Sequence, residues 1–432
     1  MATYNYAGSG NFNADATWTE SGQPSTDDVA VIASGHTVTM TADASVGSID
    51  IQGTLTTDGT ARTLTLDDGG QGYICEHRGT VSTTINLTIN SNFAGDRLIR
   101  LNNGGNGNFN NVSITLQSTS RKLTIGTEAA SIGGNLTIAQ GEFNTDSSNN
   151  YALTVTGATT IGDGSSSADT ATLTCNASTI SLGSGVTGAH SLVIQAGGTF
   201  VGGTGTHTLG SLNIKNSTAA KCTLSSGNTT IDGEGSSNKA INIEGSNGTT
   251  NFAHGSGTVI ITHDGASDIK ADGVTLNLNN LTINHASADI NTKSNLTCAG
   301  DVTITAGILD GEDDAISFKS LKIESGGTYS ATSGTTTITG EATDGVCLRS
   351  NGTFTHNSGL VSIETADHTT LVWSSASQRF NNLTVNLGAS ARVCTLSGQF
   401  DSHRYVEGNF TVTNCKFDTN NAGTFRIDGD VS

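Results

Sequence analysis

The chain has 432 residues, with 38 Asp+Glu against 19 Lys+Arg (net charge −19), 55 Gly and one Pro. That length allows two or three ordinary domains, the acidic balance opposes nucleic acid or an anionic membrane as main partner, and no apolar run is long enough to span a bilayer. Apolar residues are scarce enough for composition alone to leave disorder open, so the decision falls to pattern.

The N-terminus, Met1-Ala2-Thr3-Tyr4, has no basic region followed by an apolar core, so no Sec-type signal peptide is read. Residues 1–45 follow no repeat and hold Trp18 and the sole proline, Pro24. They are assigned as an N-terminal cap or attachment segment, and residues 46–432 as one repeat domain. A cap is physically required, because the end of a strand stack exposes unpaired backbone and apolar core. Trp18 is expected to pack over the first coils, near Val29, Val31 and Ile49.

From there a short unit recurs: Asn, an apolar residue, a hydroxyl residue, and another apolar residue. It reads Asn86-Leu87-Thr88-Ile89, Asn111-Val112-Ser113-Ile114, Asn135-Leu136-Thr137-Ile138, Asn280-Leu281-Thr282-Ile283, Asn382-Leu383-Thr384-Val385 and Asn409-Phe410-Thr411-Val412. Looser copies include Ser48-Ile49-Asp50-Ile51, Ser191-Leu192-Val193-Ile194, Asp301-Val302-Thr303-Ile304 and Ser320-Leu321-Lys322-Ile323. Strict alternation with Thr, Ile and Val is strand periodicity. Strands this short bury a face only by stacking on the next copy, and a loose period of 20–25 residues marks a solenoid. Gly-, Ser-, Asn- and Asp-rich turns such as Gly162-Asp163-Gly164-Ser165 separate the units. No stretch carries a capped 3.6-residue apolar stripe, so helix should be nearly absent.

The predicted fold is all-β, a single-stranded right-handed parallel β-helix (β-solenoid). At about 23 residues per coil and ~4.8 Å between strands it would have ~16 coils and run ~75–80 Å. Leu136, Ile138, Leu281, Ile283, Leu383 and Val385 should point inward, and Thr137, Thr282 and Thr384 outward. The segment Phe425–Ser432 is strand-like without an evident cap, which leaves open continuation beyond 432 or capping by a partner.

Seven cysteines (75, 175, 222, 298, 347, 394 and 415), odd in number and without a CxxC pair, make neither a disulfide framework nor a zinc site. Cys175 and Cys298 replace Ile or Val in the repeat and read as small core residues. The local acidic clusters are Asp27-Asp28, Asp67-Asp68 and Asp310-Gly311-Glu312-Asp313-Asp314. A glycosidase needs two carboxyl groups about 5–10 Å apart, for which Glu142, Asp146, Asp163, Asp169 and Asp310–Asp314 are the candidates to test. Asn144-Thr145-Asp146 lacks the acidic and His partners of a polygalacturonase and reads as a turn after Phe143. The 310–314 cluster has no EF-hand spacing and reads as a solvated turn. His263 and His285 lie one coil apart, where a corner ladder or a two-His metal site are the alternatives. The Asn-Leu-Thr units match glycosylation sequons, but here the Thr is simply the outward strand residue. Phe143, Phe200, Phe354 and Phe410 occupy core positions, so a sugar-stacking platform would have to come from Trp373, Tyr73, Tyr329 or Tyr405. No catalytic, cofactor-binding or metal-ligating residue is assigned.

The run Gly10-Asn11-Phe12-Asn13-Ala14-Asp15-Ala16-Thr17-Trp18, then Pro24, Asp27-Asp28-Val29-Ala30-Val31-Ile32 and Gly35-His36-Thr37-Val38-Thr39 resembles the opening of many β-helical surface proteins. The coils that follow are similar to tail-fibre, tailspike and other virion appendage proteins of marine phages, and to secreted adhesins with the same opening. The resemblance implies a non-enzymatic structural or adhesive component at the virion surface, made in the host cytoplasm. Its implied partners are other virion proteins, a host surface glycan or receptor, and further copies of itself as a trimer; no cofactor, nucleic acid or membrane enters. The alternatives are a tailspike-type depolymerase of host polysaccharide and a secreted bacterial adhesin.

Overall fold

The structure is a computed structural model describing residues 2–432 except 7, 68–71, 92, 94, 102–106, 166–169, 246–250, 374–377, 398–403 and 421–424, with the side chains of 404 and 405 also outside the description. It is a parallel β-solenoid of about 17 turns with about 1% helix. Among the described residues, antiparallel pairing is confined to the isolated bridges Tyr6–Trp18 and Gly235–Lys239. The chain divides into two compact units, residues 1–227 and residues 228–432.

In the first unit the alternation of the repeat becomes three faces. On one, Thr3–Asn5 pairs with Val29–Ile32, which pairs with Ser48–Ile51, then Tyr73–His77, Arg97–Arg100 and Lys122–Ile125. On another, register aligns Leu64, Leu87, Val112, Leu136, Thr159, Leu192 and Leu212 in one file. Leu66, Ile89, Ile114, Ile138, Ile161, Ile194 and Ile214 form a second file beside it. Every member of both is buried. At ~4.8 Å per rung the aliphatic side chains stack on one another, with Thr159 the one polar member, and each full burial of a Leu, Ile or Val is worth about 1.5–3 kcal/mol. The residues between them, Thr65, Thr88, Ser113, Thr137 and Thr160, lie half-exposed on the outside. The third face carries Ala130–Ile132, Leu153–Val155, Ile180–Leu182 and His207–Leu209.

The second unit uses the same rule with longer strands. Asn280–Thr292, Leu296–Asp310 and Ile316–Ser330 each turn a corner, and the ladder slips at the bend, between Ile283 and Asn284 and between Ile304 and Ala306. Its central file runs Val259, Leu281, Val302, Leu321, Leu348, Leu371 and Leu396, all buried. The expected inward residues Leu281, Ile283, Leu383 and Val385 are at most 1% exposed, while Thr282 and Thr384 are partly exposed.

The N-terminal segment differs from its sequence reading in one respect. Residues 1–45 already contain rungs: Thr3–Asn5 and Val29–Ile32 extend one face, Gly10–Asn11 and Thr37–Met40 another. These strands are two to four residues long and carry no repeat unit, so the pattern that marks later coils is absent from them. Trp18 is buried (4% exposed), its ring edge-on to Tyr6 at 5.5 Å and Phe12 at 5.2 Å, and its Nε1–H donates to the Phe12 carbonyl at 3.0 Å. Cys75, Cys175, Cys222, Cys298, Cys347 and Cys394 are buried free thiols, and Cys415 is partly buried. Burial pushes the Cys175 and Cys298 thiols up, which suits core residues.

Candidate functional site

Most candidate carboxylates are occupied by their own turns. Asp28 accepts from the Ser25 hydroxyl (2.6 Å), the Ala2 amide (2.8 Å) and the Ser25 amide (3.0 Å), which hold its carboxyl below the usual range. It ties the N-terminus to the first coil. Asp146 stands at φ +64 and accepts from Asn149 Nδ2 and the Ser148 amide, both at 2.8 Å; the Asn149 bond leads in holding its carboxyl down. Beside it, Thr145 is fully buried and donates to the Cys175 carbonyl at 2.8 Å, while Asn176 Nδ2 reaches the Asn144 Oδ1 at 3.0 Å. Asn144-Thr145-Asp146 is thus a turn tied to the next coil. Asp163 accepts from the Ser165 amide and hydroxyl, and Glu142 faces Lys122 at 3.6 Å. Asp27 is exposed, Asp67 is half-buried with its carboxyl raised by burial and then by Asp27, and Asp68 and Asp169 lie outside the described residues.

The 310–314 cluster is a turn with one partly sequestered member. Glu312, at φ +48, pairs with Lys293, and its amide donates to Asp310 Oδ1 at 2.9 Å. Asp314 lines a shallow hollow of about 380 Å³ with Asp272, Val274, Thr275, Lys293 and Asn295. Burial, then repulsion from Asp313 and Glu312, raises the Asp314 carboxyl, whereas the Lys270 hydrogen bond (2.5 Å) lowers that of Asp272. The residues lining this hollow include no aromatic ring. Among the described residues, no group of three or more His, Cys, Asp and Glu is placed to hold a metal ion.

His263 and His285 take separate partners. The buried His263 Nε2 sits 3.4 Å from Glu234 Oε2, and the His285 Nδ1 accepts the Ser287 amide at 3.3 Å.

Two of the proposed aromatic platforms are core. Tyr329 is fully buried, hydrogen-bonded to Thr336 Oγ1 at 2.8 Å, with its phenol pushed up by burial. Trp373 is 4% exposed and packs on Phe380 at 4.6 Å and Phe354 at 5.3 Å. Both belong to one aromatic file, Phe318–Tyr329–Phe354–Trp373, and cannot stack on a sugar from there. Tyr73 is half-exposed on an outer face, and the Tyr405 side chain lies outside the description.

The residues whose role the sequence concealed are the asparagines of the repeat. Asn111 Oδ1 accepts the Asn135 amide (2.9 Å), Asn135 Oδ1 the Ala158 amide (2.8 Å), Asn280 Oδ1 the Asp301 amide (2.8 Å), and Asn382 Oδ1 the Asn409 amide (2.8 Å). Each side chain extends the ladder sideways by one bond at the strand entry. The sequence did hold a signal: a glycine precedes the receiving residue in Gly134-Asn135, Gly157-Ala158, Gly300-Asp301 and Gly408-Asn409. A Cβ on Gly300 would lie 2.1 Å from Asn280 Oδ1.

In comparisons with protein-family models, with curated proteins and with solved structures, the chain matches none.

Proposed function

We propose that this chain is a non-enzymatic structural and adhesive β-solenoid of the virion-appendage kind, acting at the virion surface with other virion proteins, a host surface glycan and further copies of itself as partners. The observation that carries the reading is the employment of its polar groups. Asp28, Asp146 and Asp163 cap turns, the repeat asparagines bind the next coil, and Trp373 and Tyr329 serve the core. The outward strand positions Thr65, Thr88, Ser113, Thr137 and Thr160 add a polar face suited to many weak contacts. The decisive experiment incubates the purified chain with host surface polysaccharide while immunogold locates the protein on phage particles. Labelled particles with no new reducing ends are expected; release of reducing ends, or particles without label, overturns the proposal.

The Asp272–Asp314 hollow favours a second reading as a polysaccharide depolymerase, because two carboxyls pushed apart in pKa form an acid–base pair when correctly spaced. In that case reducing ends appear with the parent chain and vanish with Asp314→Asn.

A further inference from the structure

Before residue 215 the cations of the chain are Arg62, Arg78, Arg97, Arg100, Arg121 and Lys122, so a stretch otherwise purely acidic gathers its guanidinium groups on a few successive coils. Three of them flank strands of one face, around Tyr73–His77 and Arg97–Arg100. Arg78 pairs with Glu76 at 2.5 Å and reaches Asp50 at 3.8 Å. Arg100 lies 3.7 Å from Glu76 and 3.2 Å from Glu128. The Arg97 guanidinium sits over the Phe93 ring at 5.2 Å. Asp50, Glu76 and Glu128 therefore hold Arg78 and Arg100 in ion pairs, while Arg97 lies on the Phe93 ring and donates to the Asp96 carbonyl.

In the middle of this lattice lies apolar surface. Leu98 is 36% exposed, one of two large aliphatic side chains exposed among the described residues, the other being Val431. Leu98 is the register partner of Tyr73 in the preceding coil and of Thr124 in the next. The Tyr73 ring leans across to Gly126: a Cβ there would meet the ring Cε1 and the hydroxyl at 2.9 Å. Gly126 does not have a positive φ; the absent side chain makes room for the ring. A half-exposed tyrosine laid along the surface, an exposed leucine and paired Arg–carboxylate forks have the make-up of a recognition patch.

We propose that Tyr73 and Leu98, framed by Arg78, Glu76, Arg100 and Glu128, form a binding platform for a neutral, hydroxyl-rich glycan. The inference rests on the adhesive reading and names the ligand class of one face. The aromatic and aliphatic surface fits the C–H face of a pyranose ring. The guanidinium forks donate hydrogen bonds to vicinal hydroxyls, and the carboxylates accept them. Charge selects the neutral ligand: Arg78 and Arg100 are already held by Asp50, Glu76 and Glu128, which weakens their pull on a polyanion, and the net −19 of the chain repels one.

The test measures binding of the full chain to immobilised neutral oligosaccharides (dextran, galactan and mannan series) and acidic ones (alginate and carrageenan series), at low and high salt, beside adhesion to host cell envelopes. Binding of a neutral series with little salt dependence is expected. Tyr73→Ala and Leu98→Ser should each weaken it about tenfold, and Tyr73→Phe should keep it within about threefold, with unchanged melting curves. Neutral binding that Tyr73→Ala and Leu98→Ser leave intact overturns the platform, as does selective, salt-sensitive binding of the acidic series. Envelope adhesion without any oligosaccharide binding also overturns the platform while the adhesive reading stands; absence of both removes the two together.

Discussion

At the scale of single residues the fold depends on a reciprocal fit between an asparagine and a glycine one coil later. Asn280 Oδ1 occupies the space where a side chain on Gly300 would begin, and the bond it accepts from the Asp301 amide closes that strand entry. Gly300→Ala should therefore lower stability by about 1–3 kcal/mol through overpacking, read from the denaturant midpoint. Asn280→Ser in the same chain should recover part of the loss, because the two sites couple. The asparagine was legible as a repeat position, but its bond was not, since the partner amide lies in another coil. His207 is a second residue whose role only packing reveals. It takes the inward slot that Ile180 fills one coil earlier, is fully buried, and meets Phe200 edge-on at 5.8 Å. Burial lowers its pKa to about 4, with the Gly202 backbone opposing. Because the folded pKa lies below that of the unfolded chain, the stability held by neutral His207 is present above pH ~6.5 and is lost as pH falls toward 4. His207→Leu should consequently narrow the drop in melting temperature between pH 7 and pH 4; equal drops in both proteins would contradict the assignment.

At the scale of the element, the unit of structure is a rung of two or three inward side chains whose stability comes from the rungs above and below. Leu281 lies between Val259 and Val302 in register and is fully buried. Leu281→Ala should cost about 2–4 kcal/mol as a cavity substitution. In a solenoid the damage stays local, so hydrogen exchange should quicken first in Thr258–Ile261 and Leu296–Asp310. Exchange that quickens evenly along residues 228–432 would count against that picture. The rungs were legible because alternation is a property of neighbours in sequence. The long bent strands Asn280–Thr292 and Leu296–Asp310 were not, because a strand that continues around a corner shares the polar composition of a turn.

At the scale of the whole molecule, the end of the stack is the point of weakness. Deleting residues 1–28 removes Thr3–Asn5 from the edge of Val29–Ile32 and takes away the Trp18–Tyr6–Phe12 packing and the Asp28 brace. The bared edge should promote concentration-dependent association, measured by size-exclusion chromatography with light scattering. A truncated chain that stays monodisperse would contradict the protective role of these residues.

Local order along the chain is enough to read the all-β class, the coil period, which residues point inward and the burial of Trp18. These follow from alternation along a strand and repetition between strands, both carried by local order. Only the folded chain shows that residues 1–45 already contain rungs, that Trp373 and Tyr329 are core, that Asp272 and Asp314 share a hollow, and that Tyr73 and Leu98 are register partners on the face that carries the Arg78 and Arg100 ion pairs. Such neighbours come from coils 20 or more residues apart, and turns of unequal length set the register between coils. A period of only loose regularity therefore leaves open which outward side chains stand side by side.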